Sequence, residues 1–415
     1  MTENTQKQPA FKQPWPRSTA AGRWYALGRY LAMFPPTFVQ DAVGNLTKVG
    51  EPVLDPFCGR GNGPFTAAVM GRPTTGIDVN PVAWIFTAAK LQPAEDPEQV
   101  IARLNEIWLA RKPQDGRSRS QFEAMAWAPK VRALLRAARR ELDWKGSEVD
   151  RTLMAFIALH MQDKKEDGLS NSMSPTIAYS PDYAVRWWTD KGLLRPPDVD
   201  PVAMLTDKIR RRYHYGIPDQ AQGTAILGDA RDELPKQAGM EAGLLITSPP
   251  YCGVADYWND HWLRLWLLGH NFRKDWRRSA RYKNKTDYET LIGSVLQEAS
   301  RHLKKGAAVL IRTDQRRQTA KMCIAAVQET WPNRKLLIRS TTAPHKSISV
   351  HHGRGGQTAK EIDLLLPGKR GRNWWEKQGF QPVKLAGDYV GQTTAPVSQR
   401  LTVAVATGRR CQPVD

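Results

Sequence analysis

The chain has 415 residues, 41% of them hydrophobic, enough to bury a large core without metal or disulfide staples. No apolar run is long enough to span a bilayer, and the four cysteines (Cys58, Cys252, Cys323 and Cys411) form neither a CxxC pattern nor a disulfide framework. A membrane span, a bound metal and a secreted disulfide scaffold are thereby disfavoured and a cytoplasmic protein is expected, while 61 basic against 41 acidic residues give a net charge of +20 and make a polyanion such as nucleic acid the first partner to consider.

Residues 1–21 are polar and proline-rich, with Lys7, Pro9, Lys12, Pro14 and Pro16, and read as a flexible segment without the apolar core of a secretory signal. Val53 and Leu54 predict a short buried strand that runs into Asp55-Pro56-Phe57-Cys58-Gly59-Arg60-Gly61-Asn62-Gly63. Phe65 to Met70 reads as the helix that follows, and Thr74 to Asp78 as a second strand closing on an acid and Asn80-Pro81. Strand, glycine loop, helix, strand and acid together open a doubly wound α/β sheet.

From residue 91 to 222 the sequence turns charged and helix-prone, with a basic helix expected over Lys130 to Arg140 and a basic run at Lys208, Arg210, Arg211 and Arg212. Strand patterns return at Ala225 to Leu227, Leu244 to Thr247, Ala307 to Arg312, Lys335 to Ser340 and Glu361 to Leu366. The expected organisation is therefore one α/β domain, 22–90 with 223–410, interrupted by a mainly helical insertion over 91–222 that is positioned to contact nucleic acid.

Two elements carry chemistry. A glycine-rich turn between strand and helix lets backbone approach a ligand and aims amide N–H groups at it, and Asp78 at the next strand end suits a ribose diol. No Lys-Ser/Thr follows the glycines, which argues against a triphosphate loop. The second element is Thr247-Ser248-Pro249-Pro250-Tyr251 at the end of an apolar strand. Its prolines remove two backbone donors, leaving carbonyl oxygens and Ser248 as acceptors for an amine, with Tyr251 as a face on which an extruded base would stack.

At these residues the chain resembles the amino-directed DNA methyltransferases. Asp55 through Gly61 is similar to that family's cofactor motif, and Thr247 through Tyr251 to its catalytic motif in the serine form typical of cytosine-N4 enzymes. Gly28-Arg29-Tyr30-Leu31-Ala32-Met33-Phe34-Pro35-Pro36 is similar to the segment preceding the cofactor loop, and Gly228-Asp229-Ala230 to the acid that meets the cofactor's adenine. The cofactor motif precedes the catalytic one, a permuted order relative to the family class that shares this loop spelling.

The resemblance implies a Rossmann-like S-adenosylmethionine-dependent methyltransferase sheet acting on double-stranded DNA. Asp55, Phe57, Gly59 and Gly61 would hold the methionine end of the cofactor, Asp78 the ribose and Asp229 the adenine, with Phe34, Pro35 and Pro36 closing the pocket. Ser248, Pro249, Pro250 and Tyr251 would receive the target base, without a covalent intermediate. Cys252 does not directly follow proline, as a carbon-five nucleophile would, and reads as packing.

Arg273, Lys274, Arg277, Arg278, Arg281 and Lys283, interleaved with Trp276 and Tyr282, read as a phosphate track. Trp187-Trp188 and Trp374-Trp375 read as core, and His351-His352 lacks partners at metal-ligand spacing. Adenine-N6 methylation of DNA, methylation of an RNA base amine and an idle DNA-binding protein remain the alternatives to cytosine N4.

Overall fold

The computed structural model describes residues 15–30, 34, 36–164, 168–252, 256–270, 284–314, 317–342 and 360–383. Eight strands make one sheet: β1 (Val53–Asp55), β2 (Thr74–Asp78), β3 (Gly223–Leu227), β4 (Ala242–Thr247), β5 (Leu303–Asp314), β6 (Leu337–Thr342), β7 (Lys360–Leu366) and β8 (Gln381–Pro382). Their order is β3-β2-β1-β4-β5-β7-β6-β8. β1 to β5 are parallel to one another, whereas β7 runs antiparallel between β5 and β6, and β8 antiparallel to β6. This is the Rossmann-like mixed α/β sheet expected, with an antiparallel arm at one side.

The strand order reverses between β1 and β4, since the chain winds from β1 outward to β2 and β3 and then returns to pair β4 on the other side of β1. Loops leaving adjacent strands at such a reversal diverge to opposite faces, and the gap between them is where open α/β sheets bind ligands. Here it lies between Asp55 and Thr247.

Side-chain alternation along the strands divides the core into two faces. Leu54, Ile77, Leu245, Val309, Ile311 and Leu364 face helices Lys285–Ser300 and Arg317–Thr330. Their neighbours Val53, Leu244, Ile246, Ala308, Leu310 and Leu365 face helix Pro36–Leu46.

Between β2 and β3 the described residues form helices and one short 3-10 turn. The first, Pro81–Leu91, is buried all round. It shares a continuous apolar cluster with Leu104, Leu134, Phe156 and Leu205 from the later helices, so the helical region packs as a layer on the sheet. The expected basic helix is Pro129–Glu141, but its Arg132 and Arg136 are buried, donating to the carbonyls of Gly116 and Asp115 and, from Arg136, to Glu123. These cations hold a turn in place.

Thr19 caps helix Ala20–Tyr25, and Trp15 packs edge-on against Phe65 at 6.2 Å, so the packed chain takes in residues on the amino-terminal side of residue 21. Trp188 and Trp374 are buried as expected, whereas Trp187, about 100° round helix Pro181–Asp190 from Trp188, is 36% exposed. Among the described residues, no helix is long and apolar enough to cross a membrane. His351 and His352 lie outside the described residues.

Candidate active site

Asp55 ends β1 and is buried. Its Oδ1 accepts from the Thr247 hydroxyl at 2.6 Å and from the Phe57 amide at 3.2 Å, which joins the glycine loop to the Ser-Pro-Pro-Tyr turn across the strand-order reversal. Burial pushes the Asp55 carboxyl up to about 7 against the lowering effect of those two bonds, and the Asp78 charge adds to the rise. A Cβ on Gly63 would lie 2.8 Å from Asp55 Oδ2, so glycine is what lets helix Asn62–Val69 pass over the carboxylate.

Gly59 and Gly61 adopt φ of +52° and +80°, the left-handed region in which a side chain is strained. Their turn brings the Gly59 amide to Asp78 Oδ2 at 2.9 Å, while the Asn80 amide reaches Oδ1 at 2.8 Å. Each oxygen of Asp78 thus keeps acceptor capacity beyond one amide. Burial raises the Asp78 carboxyl to about 6, with the two amides pulling it down.

Arg60 is the loop residue whose role was not legible in the sequence. Its guanidinium is buried and donates to the carbonyls of Gly28 at 2.7 Å, Tyr25 at 3.1 Å and Leu27 at 3.4 Å. A cation on the glycine loop therefore fastens the upstream segment over that loop. Next to it Tyr30 stacks on His261 at 4.6 Å and on Tyr257 at 6.1 Å. The Asn80 amide group donates to the Tyr257 carbonyl, tying this stack to the end of β2. Both polar atoms of Asn62 are buried without a partner among the described residues, in the same loop.

Ser248 is half-buried, Pro249 is buried and Tyr251 is 2% exposed. Tyr251 donates to Glu361 Oε1 at 3.2 Å and is hydrogen-bonded by Ser248; burial and the Glu361 charge hold its hydroxyl well above the usual range. Glu361 sits 3.4 Å from Arg312, which makes a two-pronged bond to Asp363 at 2.6 and 2.9 Å. Arg339 shares that carboxylate at 2.6 Å, and Phe34 and Phe38 cover the Arg312 guanidinium. The stacking face expected of Tyr251 is thus enclosed in this structure, and Phe34 closes over an ion-pair network. Acids at alternate positions, Glu361 and Asp363, in an otherwise apolar strand were the sequence signal for this network.

Asp229 caps the short helix Ala230–Glu233, and Arg231 grips its carboxylate through Nε at 3.0 Å and Nη2 at 2.6 Å. Asp229 thus lies just beyond the end of β3, with an arginine already on its carboxylate. Phe57 is partly buried against the Leu54–Leu245 face, as is Cys252. Pro36 opens helix Pro36–Leu46; Pro35, and the basic residues Arg273, Lys274, Arg277, Arg278, Arg281 and Lys283, lie outside the described residues.

Comparison with protein-family models and with curated proteins gives no match. Among solved structures the chain is similar to a "putative rRNA-methylase" from Clostridium thermocellum, at 9% identity over 79% of this chain and 94% of that one, with a TM-score of 0.30. It is similar to the rRNA methyltransferase aviRa from Streptomyces viridochromogenes at 12% identity, over 83% and 88% of the two chains, with a TM-score of 0.29. Likeness this slight carries no argument about activity.

Proposed function

We propose that the protein is an S-adenosylmethionine-dependent methyltransferase that modifies the exocyclic N4 amine of cytosine in double-stranded DNA. The observation that supports it best is the Thr247–Asp55 hydrogen bond, which couples a glycine-loop nucleoside site to an acceptor-rich Ser-Pro-Pro-Tyr turn at one strand-order reversal. The residues fit the cofactor: Asp78 keeps acceptor capacity for two ribose hydroxyls, and the orphaned Asn62 amide and the Asp55 carboxylate lie deep in the loop that would hold the methionine end. When bound, the cofactor supplies an electrophilic methyl group.

The protein's own contribution is to orient the amine. Arg312 keeps Glu361 as an acceptor, Glu361 accepts the hydrogen bond of the Tyr251 hydroxyl, and the Ser248 hydroxyl donates to Tyr251. The Ser248 lone pairs are left to accept from the amine N–H, beside the Pro249 carbonyl, as the nitrogen attacks and its proton becomes acidic. In this reading residues 22–90 and 223–410 form the catalytic domain, the helical layer over 91–222 flanks the nucleic acid, and the base enters beside the Tyr30–His261 stack.

Incubation with methyl-labelled cofactor and duplex DNA, followed by nucleoside digestion and mass spectrometry, tests the assignment. N4-methylcytosine is the expected product. N6-methyladenine would change the base and keep the mechanism, whereas label confined to RNA, or no transfer at all, would overturn the reading.

A further inference from the structure

Helix Pro201–Tyr213 sorts its cations by face. Arg210 pairs with Glu98 at 3.3 Å and Arg211 with Asp207 at 2.9 Å, both in solvent. Lys208 and Arg212, four residues apart and so on one side, form no ion pair among the described residues. That side meets the amino-terminal segment. The Arg212 guanidinium donates to the Arg23 carbonyl, Arg23 donates to the carbonyls of Arg211 and Arg17, and Trp24 donates to Gly216.

The same segment continues to Gly28, whose carbonyl is held by Arg60 of the glycine loop, and to the exposed Arg29. Three separate parts of the chain therefore deliver Arg17, Arg23, Arg29, Arg60, Lys208 and Arg212 to one region, where Arg23 and Arg212 donate to neutral carbonyls, which satisfy donors without cancelling charge. The electrostatics agree. Burial lowers Arg212 to about 9 with Arg23, Arg60, Arg17 and Arg29 all adding to the fall, and His160 falls to about 3 by burial with Lys208, Arg212 and Arg29. Among the described residues neither group pairs with a carboxylate. Arg264, further along, does feel Asp163.

We infer that this convergence is a docking surface for the phosphodiester backbone of the nucleic-acid substrate, seated beside the glycine loop by Arg29 and Lys208 next to Arg212. Like charges held together at the mouth of a site are destabilising until an anion joins them. A single cofactor carboxylate would neutralise one of them, whereas successive phosphates match a row drawn from three elements. The inference rests on the proposed function for its choice of nucleic acid.

Fluorescence anisotropy with a mixed-sequence duplex of ~20 base pairs, titrated over a range of salt, tests it. Replacing Arg29 and Lys208 together by glutamine is expected to make the slope of log K against log salt shallower by roughly 1.8, about 0.9 per phosphate contact, and to weaken binding on the order of tenfold at low salt. The charge-preserving pair Arg29→Lys and Lys208→Arg is expected to keep the wild-type slope, and cofactor affinity by calorimetry is expected to be unchanged in both. A glutamine variant with the wild-type slope, a wild type that does not bind the duplex, or a fall in cofactor affinity matching that for DNA overturns the inference. A wild type that binds DNA with a steep salt slope yet transfers no methyl group overturns the proposed function and leaves the surface standing.

Discussion

The Tyr251 hydroxyl meets the Glu361 carboxylate at 3.2 Å, so the tyrosine after the two prolines is held by the antiparallel arm of the sheet. Tyr251→Phe keeps the ring and removes the bond. It is expected to cost about 1–3 kcal/mol in denaturant unfolding, the range for stripping a partner from a buried polar group, and to slow methyl transfer because Ser248 loses the acceptor that orients it. An unchanged transfer rate in a folded Tyr251→Phe would remove the relay from the mechanism.

Asp55 gives a pH dependence of defined sign. Its carboxyl titrates near 3.8 when unfolded and about 7 when folded, raised first by burial. Between those values the folded state holds a proton that the unfolded chain has released, so stability falls as pH rises across the window and levels off above it. Asp78, raised to about 6, adds in the same direction over a narrower span. Thermal unfolding of Asp55→Asn is expected to show a smaller loss of Tm than the wild type from about pH 4 to about pH 7; parallel curves would show that Asp55 titrates normally.

Arg312 is shared by two carboxylates in a nearly water-free place, 3.4 Å from Glu361 and 2.6 Å from Asp363. Arg312→Met would leave both acids without it, although Asp363 keeps Arg339. Breaking a buried pair from one side costs about 3–5 kcal/mol, and a loss of that size in denaturant unfolding is expected here. A change below about 1 kcal/mol would mean that the acids are protonated or hydrated.

Gly63 provides a test of close packing at the glycine loop. Within a helix, Gly→Ala usually stabilises by roughly 0.5–1 kcal/mol. Here the added methyl would stand 2.8 Å from Asp55 Oδ2, and Gly63→Ala is expected to destabilise by about 1–3 kcal/mol and to weaken cofactor binding in calorimetry. A stabilised variant with full affinity would separate Asp55 from the cofactor site.

Much of the fold was legible in the sequence because its signals are local. The apolar pair Val53-Leu54, the glycines after it, the acid ending Thr74–Asp78 and the run before Thr247 each fix an element by the chemistry of a few neighbouring residues. β8, only two residues long, left no such pattern. Trp15 likewise looks like part of a polar tail until Phe65 is brought against it.

The sequence by itself determined where acceptor-rich turns and backbone-exposing glycines stand, since these are properties of residue type. Only the tertiary structure decided how charges are compensated. Arg60 binds carbonyls more than thirty positions upstream, Arg312 and Asp363 meet across 51 positions, and Arg132 and Arg136 turn inward where a basic helix face was expected. Arg29, Lys208 and Arg212, each unremarkable among so many cations, become a surface because separate segments converge. An arginine carries the same charge wherever it stands in the chain, and whether a carboxylate, a carbonyl or solvent faces it is settled by packing between distant segments, which no local pattern records.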